Sequence, residues 1–96
     1  MSDLSVMHEE NGNKGRYYIV HGSGKSELTY SVVSSKQVIA DHTEVASGHE
    51  GEGVGLMLLR EFVADARSKG FQILPLCPFV NAQRRKHPEW SDVFSV

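Results

Sequence analysis

Cysteine is nearly absent from this 96-residue chain, where Cys77 stands alone. A lone thiol closes no intramolecular disulfide and supplies too few sulfur ligands for a cysteine-based zinc module, so the fold has to be held by its apolar core. Long apolar runs are missing too. No window approaches the roughly 18–20 apolar residues of a membrane span. The start Met1-Ser2-Asp3-Leu4 lacks the basic stretch and apolar run of an export signal, so the expected location is cytoplasmic. Nor is there a surplus of positive charge. Ten Lys and Arg against twelve Asp and Glu leave −2 with His neutral, which disfavours nucleic acid and anionic membrane as partners. What is present is the make-up of an ordinary soluble globule, 40% hydrophobic and 23% charged, of a length that fills one domain over residues 1–96.

Short alternating segments separated by Gly, Asn and Ser clusters predict an antiparallel meander in the first half. Strands are expected at Leu4–His8, Arg16–His21, Leu28–Val33 and Val38–Val45, with turns at Glu10–Gly15, Gly22–Lys25 and Ser34–Lys36. After Val45 the pattern changes. A run holding Gly48, Gly51, Gly53 and Gly55 leads into a helical stripe of Leu58, Leu59, Phe62, Val63 and Ala66, with Arg67 and Lys69 in the last turn and Gly70 as terminator. Phe71–Leu76 reads as a buried strand parallel to the fourth, which makes strand, loop, helix and strand a right-handed βαβ crossover. Pro78 opens a short helix to about Arg85, His87-Pro88 stops it, and Trp90, Val93 and Phe94 remain to cover an edge of the core. His8 and His21 read as solvated strand ends, and Tyr17, Tyr18 and Tyr30 mostly as cross-strand packing. The fold class is α+β, a mostly antiparallel sheet with one parallel crossover.

The glycine run sits where a helix begins. A helix N-terminus carries unpaired N–H groups and about half a positive charge, and glycines let backbone donors close around a phosphate. Gly51-Glu52-Gly53-Val54-Gly55 matches neither the dinucleotide fingerprint nor the P-loop, and no acidic residue ends the second parallel strand. A tight strand-to-helix turn explains the glycines equally well. Additional segments bear on the choice: Asp41-His42-Thr43-Glu44-Val45, Pro75-Leu76-Cys77-Pro78-Phe79-Val80 and Arg85-Lys86-His87-Pro88-Glu89. In this order, with the loop between the first two, they resemble a branch of very short GNAT-like N-acetyltransferases, and they span nearly the whole chain.

The resemblance implies a minimal GNAT-like acyl-CoA N-acyltransferase fold and acetyl-CoA as co-substrate. It implies the pyrophosphate on backbone N–H groups of the loop that begins at Gly51, namely Glu52, Gly53, Val54, Gly55 and Leu56, with the pantetheine arm beside Val45 and Ala46. Glu50 stands where the family usually has Gln, Arg or Lys, and Glu52 adds a second carboxylate; both are read as facing water and favouring the helix dipole. Acetyl transfer needs a base for the amine, donors for the oxyanion and help for the departing thiolate. The tyrosine that larger relatives use for the last task has no counterpart between Phe79 and His87. Cys77 is the substitute candidate, as acid or as nucleophile, placed at a strand end and a helix N-cap where a thiolate is stabilised; the competing reading is an inert buried thiol. His42 and Glu44 share one strand face, with His42 the candidate base or a partner that activates Cys77, and Glu44 an alternative receiver of the proton through water. Arg84 and Arg85 complement a helix dipole on a solvated face, or contact a phosphate of the coenzyme. His42, His49, His87 and Cys77 lack metal-ligand spacing, so no metal is expected.

The expected function is N-acetyl transfer to an amine of a protein or polyamine by a monomer or weak homodimer. The chain is too short for the segments that enclose the acceptor in larger relatives, which implies an open acceptor site. A non-catalytic acyl-CoA-binding or interaction module on the same scaffold is the alternative, with a nucleotide-binding regulator behind it.

Overall fold

The computed structural model describes residues 5–22 and 24–96. Five strands lie side by side in chain order: β1 (Met7–Asn11), β2 (Lys14–His21), β3 (Gly24–Ser34), β4 (Gln37–Glu44) and β5 (Gln72–Pro75). The pairings are antiparallel up to β4, and β4–β5 is parallel. Helix α1 (Val54–Lys69) makes the crossover, and α2 (Pro78–Lys86) and a 3-10 segment (Pro88–Val93) close the chain. This is the α+β arrangement expected from the sequence.

Alternation sends Tyr17, Ile19, Leu28, Tyr30, Val38, Ala40 and Ile73 to one face, where they are buried against the α1 stripe of Val54, Leu58, Leu59, Phe62, Val63 and Ala66. Each fully buried large side chain contributes about 1.5–3 kcal/mol of transfer free energy. The Phe62 ring lies 5.3 Å from Tyr17 and 5.2 Å from Tyr30. The other sheet face has no helix over it among the described residues and carries half-buried or exposed Arg16, Tyr18, Val20, Glu27, Thr29 and Ser31. Helix α1 stops as expected, at Gly70 in the left-handed region (φ 81°) with its N–H on the Ala66 carbonyl. Trp90, Val93 and Phe94 are buried, and Ser95 N–H donates to the Ile73 carbonyl, covering the outer edge of β5.

Differences from the sequence reading are local. The first strand is expected at Leu4–His8 and found at Met7–Asn11, with Leu4 outside the described residues. Asn11 pairs directly with Lys14 around Gly12 (φ 66°) and Asn13, and this two-residue turn draws Glu10 and Asn11 into the ladder. His8 is exposed near the start of β1, as expected, though its ring is not free; His21, at the end of β2, is not solvated. The His8 ring stacks on Tyr17 at 4.3 Å and its Nε2 lies 2.6 Å from Tyr30 Oη; His21 is buried. Tyr17 donates to Asp65 and Tyr30 to Glu10, at 2.6 and 2.7 Å.

The irregularity with most consequence is in β4. Thr29 pairs with His42, yet Tyr30 pairs with Ala40, so Asp41 is an extra residue and the strand is bulged there. Val38 and Ala40 point at α1, and strict alternation would keep His42 and Glu44 on that face. The bulge reverses the phase. His42 and Glu44, opposite Thr29 and Glu27, are exposed on the uncovered face, and Thr43, opposite Leu28, turns toward the helices.

Candidate active site

The parallel ladder between β4 and β5 runs from Gln37–Gln72 to Ala40–Pro75 and ends there, while β4 continues to Glu44. Cys77 N–H reaches back to the Ala40 carbonyl at 3.0 Å, the last main-chain link before the two strands part. The stretch Asp41–Glu44 therefore has no strand partner on its β5 side. The glycine loop and the start of α1 follow directly, as does the start of α2 on the β5 side.

At α1 the N-cap is Gly53 in the left-handed region (φ 79°), with no side-chain cap and no acidic residue in the first turn. Met57 N–H bonds the Gly53 carbonyl. Ahead of it, the N–H groups of Val54, Gly55 and Leu56 precede the first intrahelical bond, the ordinary condition of a helix start and a suitable one for an anion. Glu52 N–H, expected among these donors, is instead spent on the His49 carbonyl at 3.3 Å. The loop carboxylates are held within the loop itself. Glu50 Oε1 accepts Gly48 N–H at 2.9 Å, and Glu52 Oε1 lies 2.9 Å from His49 Nδ1. Gly51 is exposed at φ 85° with open space where a side chain would stand. Gly55 has a different requirement, since a Cβ there would lie 2.9 Å from the Phe79 ring, so the last loop glycine is where α2 packs on α1.

The loop is anchored from behind. Fully buried Ser26 accepts Ala46 N–H at 2.8 Å and its Oγ lies 2.9 Å from His21 Nε2, and the His21 ring stacks on His49 at 3.9 Å. Both main-chain polar groups of Ala46 are used, the carbonyl by His49 N–H. Ala46 is buried, and Val45 beside it is half-buried.

Cys77 is the N-cap of α2, with Pro78 at the first helical position and no side-chain cap. Its thiol is buried, and its one side-chain partner among the described residues is Thr43, with Oγ1 3.3 Å from Sγ. His42 does not meet Cys77, because the Asp41 bulge puts the two on opposite faces of β4; Glu44 shares the face of His42. On that face an open depression of about 350 Å³ is lined by Glu9, Lys14, Arg16, Thr29 and Asp41, next to His42 along the strand pairing. Arg84 and Arg85 stand in the last turn of α2, at the opposite end from Cys77, Arg84 donating to Asn81 at 2.8 Å. Among the described residues no group of three or more His, Cys, Asp and Glu converges on a metal position.

Thr43 and Ser26 are the two side chains that sequence reasoning passes over. Ser26 belongs to no motif, and Thr43 lies in the Asp41–Val45 segment without a role being read for it. Each acquires its place from a neighbour in another strand.

Residues 16–93 match the model of a family described as GCN5-related N-acetyl-transferase. Among solved structures, a GCN5-like protein from Staphylococcus aureus, determined in solution by NMR, superposes with a TM-score of 0.74 at 31% identity, covering 99% of this chain and 91% of that one. A search of curated proteins gives no match.

Proposed function

The chain belongs to the GCN5-related N-acetyltransferase family, and from that premise we propose that it moves the acetyl group of acetyl-CoA to an amine across the gap between β4 and β5. The observation that carries this reading is the end of the parallel ladder at Ala40–Pro75 with β4 running on to Glu44, which leaves strand-edge backbone beside an uncapped helix start. A diphosphate fits that helix start, because Gly51 and Gly53 leave it unobstructed and both loop carboxylates are already paired, Glu50 with Gly48 N–H and Glu52 with His49. The amides of Gly53, Val54, Gly55 and Leu56 would hold it. Gly51, Val45 and the Ala46 methyl group would flank the pantetheine arm, and Arg84 or Arg85 would take an outlying phosphate. The coenzyme brings the activated acetyl group.

The proton steps fall on two faces of one strand. On the open face His42 takes the proton of the attacking amine, directly or through water, with Glu44 next in line. On the helix face Cys77 gives its proton to the departing thiolate, so that one S–H bond breaks as another forms. The open face admits a bulky acceptor, a protein amine or a polyamine.

Titration with acetyl-CoA is expected to shift the NMR signals of Gly53–Leu56, and Cys77→Ala to keep those shifts while turnover on spermine or a lysine peptide falls about 10²-fold or more. The burial of Cys77 favours a second reading, a coenzyme-binding module with an inert thiol. Coenzyme binding with no turnover by the wild type on any amine would establish that one, and amide signals unmoved at millimolar acetyl-CoA would remove both.

A further inference from the structure

Thr43 is half-buried on the helix side of β4, opposite fully buried Leu28, and its hydroxyl lies 3.3 Å from the sulfur of Cys77. Thr43 Oγ1 makes no other side-chain hydrogen bond among the described residues, and neither does Cys77 Sγ. Thr43 is thus the one side-chain partner of the buried sulfur among the described residues. Its orientation is not inherited from the strand's alternation. Only the extra residue at Asp41 brings it to that face; without the bulge His42 would point there.

We propose that Thr43 is a positioning residue for Cys77. While the sulfur carries its proton, S–H donates to the Thr43 oxygen; once that proton has gone to a leaving thiolate, the hydroxyl rotates and donates O–H to the sulfur left charged. Both states of Cys77 thus have a partner without any movement of the backbone, and the side chain stays directed at the end of the ladder. The Cys77 Sγ–H bond is the one broken, the leaving sulfur gains that proton, and Thr43 keeps its own throughout. The effect on turnover rests on the acetyl-transfer reading above. The hydrogen bond does not.

Because Cys77 is the chain's one cysteine, its S–H stretching band in Raman or infrared spectra is a single signal. Thr43→Val keeps the shape and removes the hydroxyl; Thr43→Ser keeps the hydroxyl and loses a methyl group. The wild-type band is expected at lower frequency than in Thr43→Val, with Thr43→Ser returning toward the wild type. In turnover with acetyl-CoA and spermine, Thr43→Val should lower kcat about tenfold, the worth of one hydrogen bond to a charged group, with KM for acetyl-CoA unchanged and Thr43→Ser restoring most of the loss. Coincident bands in the wild type and Thr43→Val would overturn the proposal, as would equal kcat in the two. A shifted band in a wild type that turns over no amine would keep the Thr43–Cys77 bond and discard acetyl transfer instead.

Discussion

A single hydroxyl, that of Ser26, joins three parts of the chain that no sequence motif links: the end of β2 through His21, the start of β3, and the second residue past β4 through Ala46 N–H. Removing it strands a backbone donor and a buried imidazole together. Ser26→Ala is therefore expected to cost about 1–3 kcal/mol and to lower Tm by roughly 4–8 °C per kcal/mol, measured by calorimetry. Under the proposed function it should also weaken acetyl-CoA binding, by loosening the turn that leads into the glycine loop. Unchanged Tm would mean that the His21–His49 stack alone holds this turn. Cys77 was legible from the sequence because a Cys-Pro pair at a strand end predicts an N-cap, and the N-cap is where it stands. Thr43 was not, because its orientation depends on a neighbouring strand.

The elements themselves were written in the chain. The α1 stripe, the Gly70 stop and the Pro78 start all rest on local rules of period and capping, and each is found where those rules put it. Between elements the rules give less. From its spacing Gly55 belongs to the anion loop, but the Phe79 ring 2.9 Å from its missing Cβ makes it the contact between two helices. Gly55→Ala gains helix propensity of up to about 1 kcal/mol and loses about 1–3 kcal/mol by overpacking. The net expectation is mild destabilisation in urea unfolding, relieved when Phe79→Leu is combined with it. Gly53→Ala meets no atom within 4 Å but has to adopt φ 79°. Its cost of about 1–3 kcal/mol is backbone strain that no change at Phe79 relieves. Non-additivity in the first pair and additivity in the second, read from double-mutant cycles, separates the two roles.

At the scale of the whole molecule, a one-sided sheet packs its polar tyrosines toward α1. Burial, and then hydrogen bonding to Asp65, pushes the Tyr17 hydroxyl well above its ordinary value of 10.0. Burial and the bond to Glu10 raise Tyr30 in the same direction. The native state favours the neutral phenols, and the unfolded chain releases their protons at the ordinary value. Their contribution is therefore complete below pH 10 and is lost progressively as pH rises above it. Tm measured from pH 8 upward should be level at first and then fall, and Tyr17→Phe should flatten that fall while lowering the plateau. A fall equally steep in the variant would assign the alkaline loss to other groups. The sequence by itself determined the antiparallel meander, the parallel crossover, the Gly70 stop and the Pro78 start, because periodicity, glycine, proline and chain continuity act over a few residues. Only the tertiary structure decided which face of β4 each site residue took. A bulge is a mismatch between two strands, and residue spacing within one of them carries no record of it; that mismatch set His42 and Glu44 on the open side and brought Thr43 to the thiol.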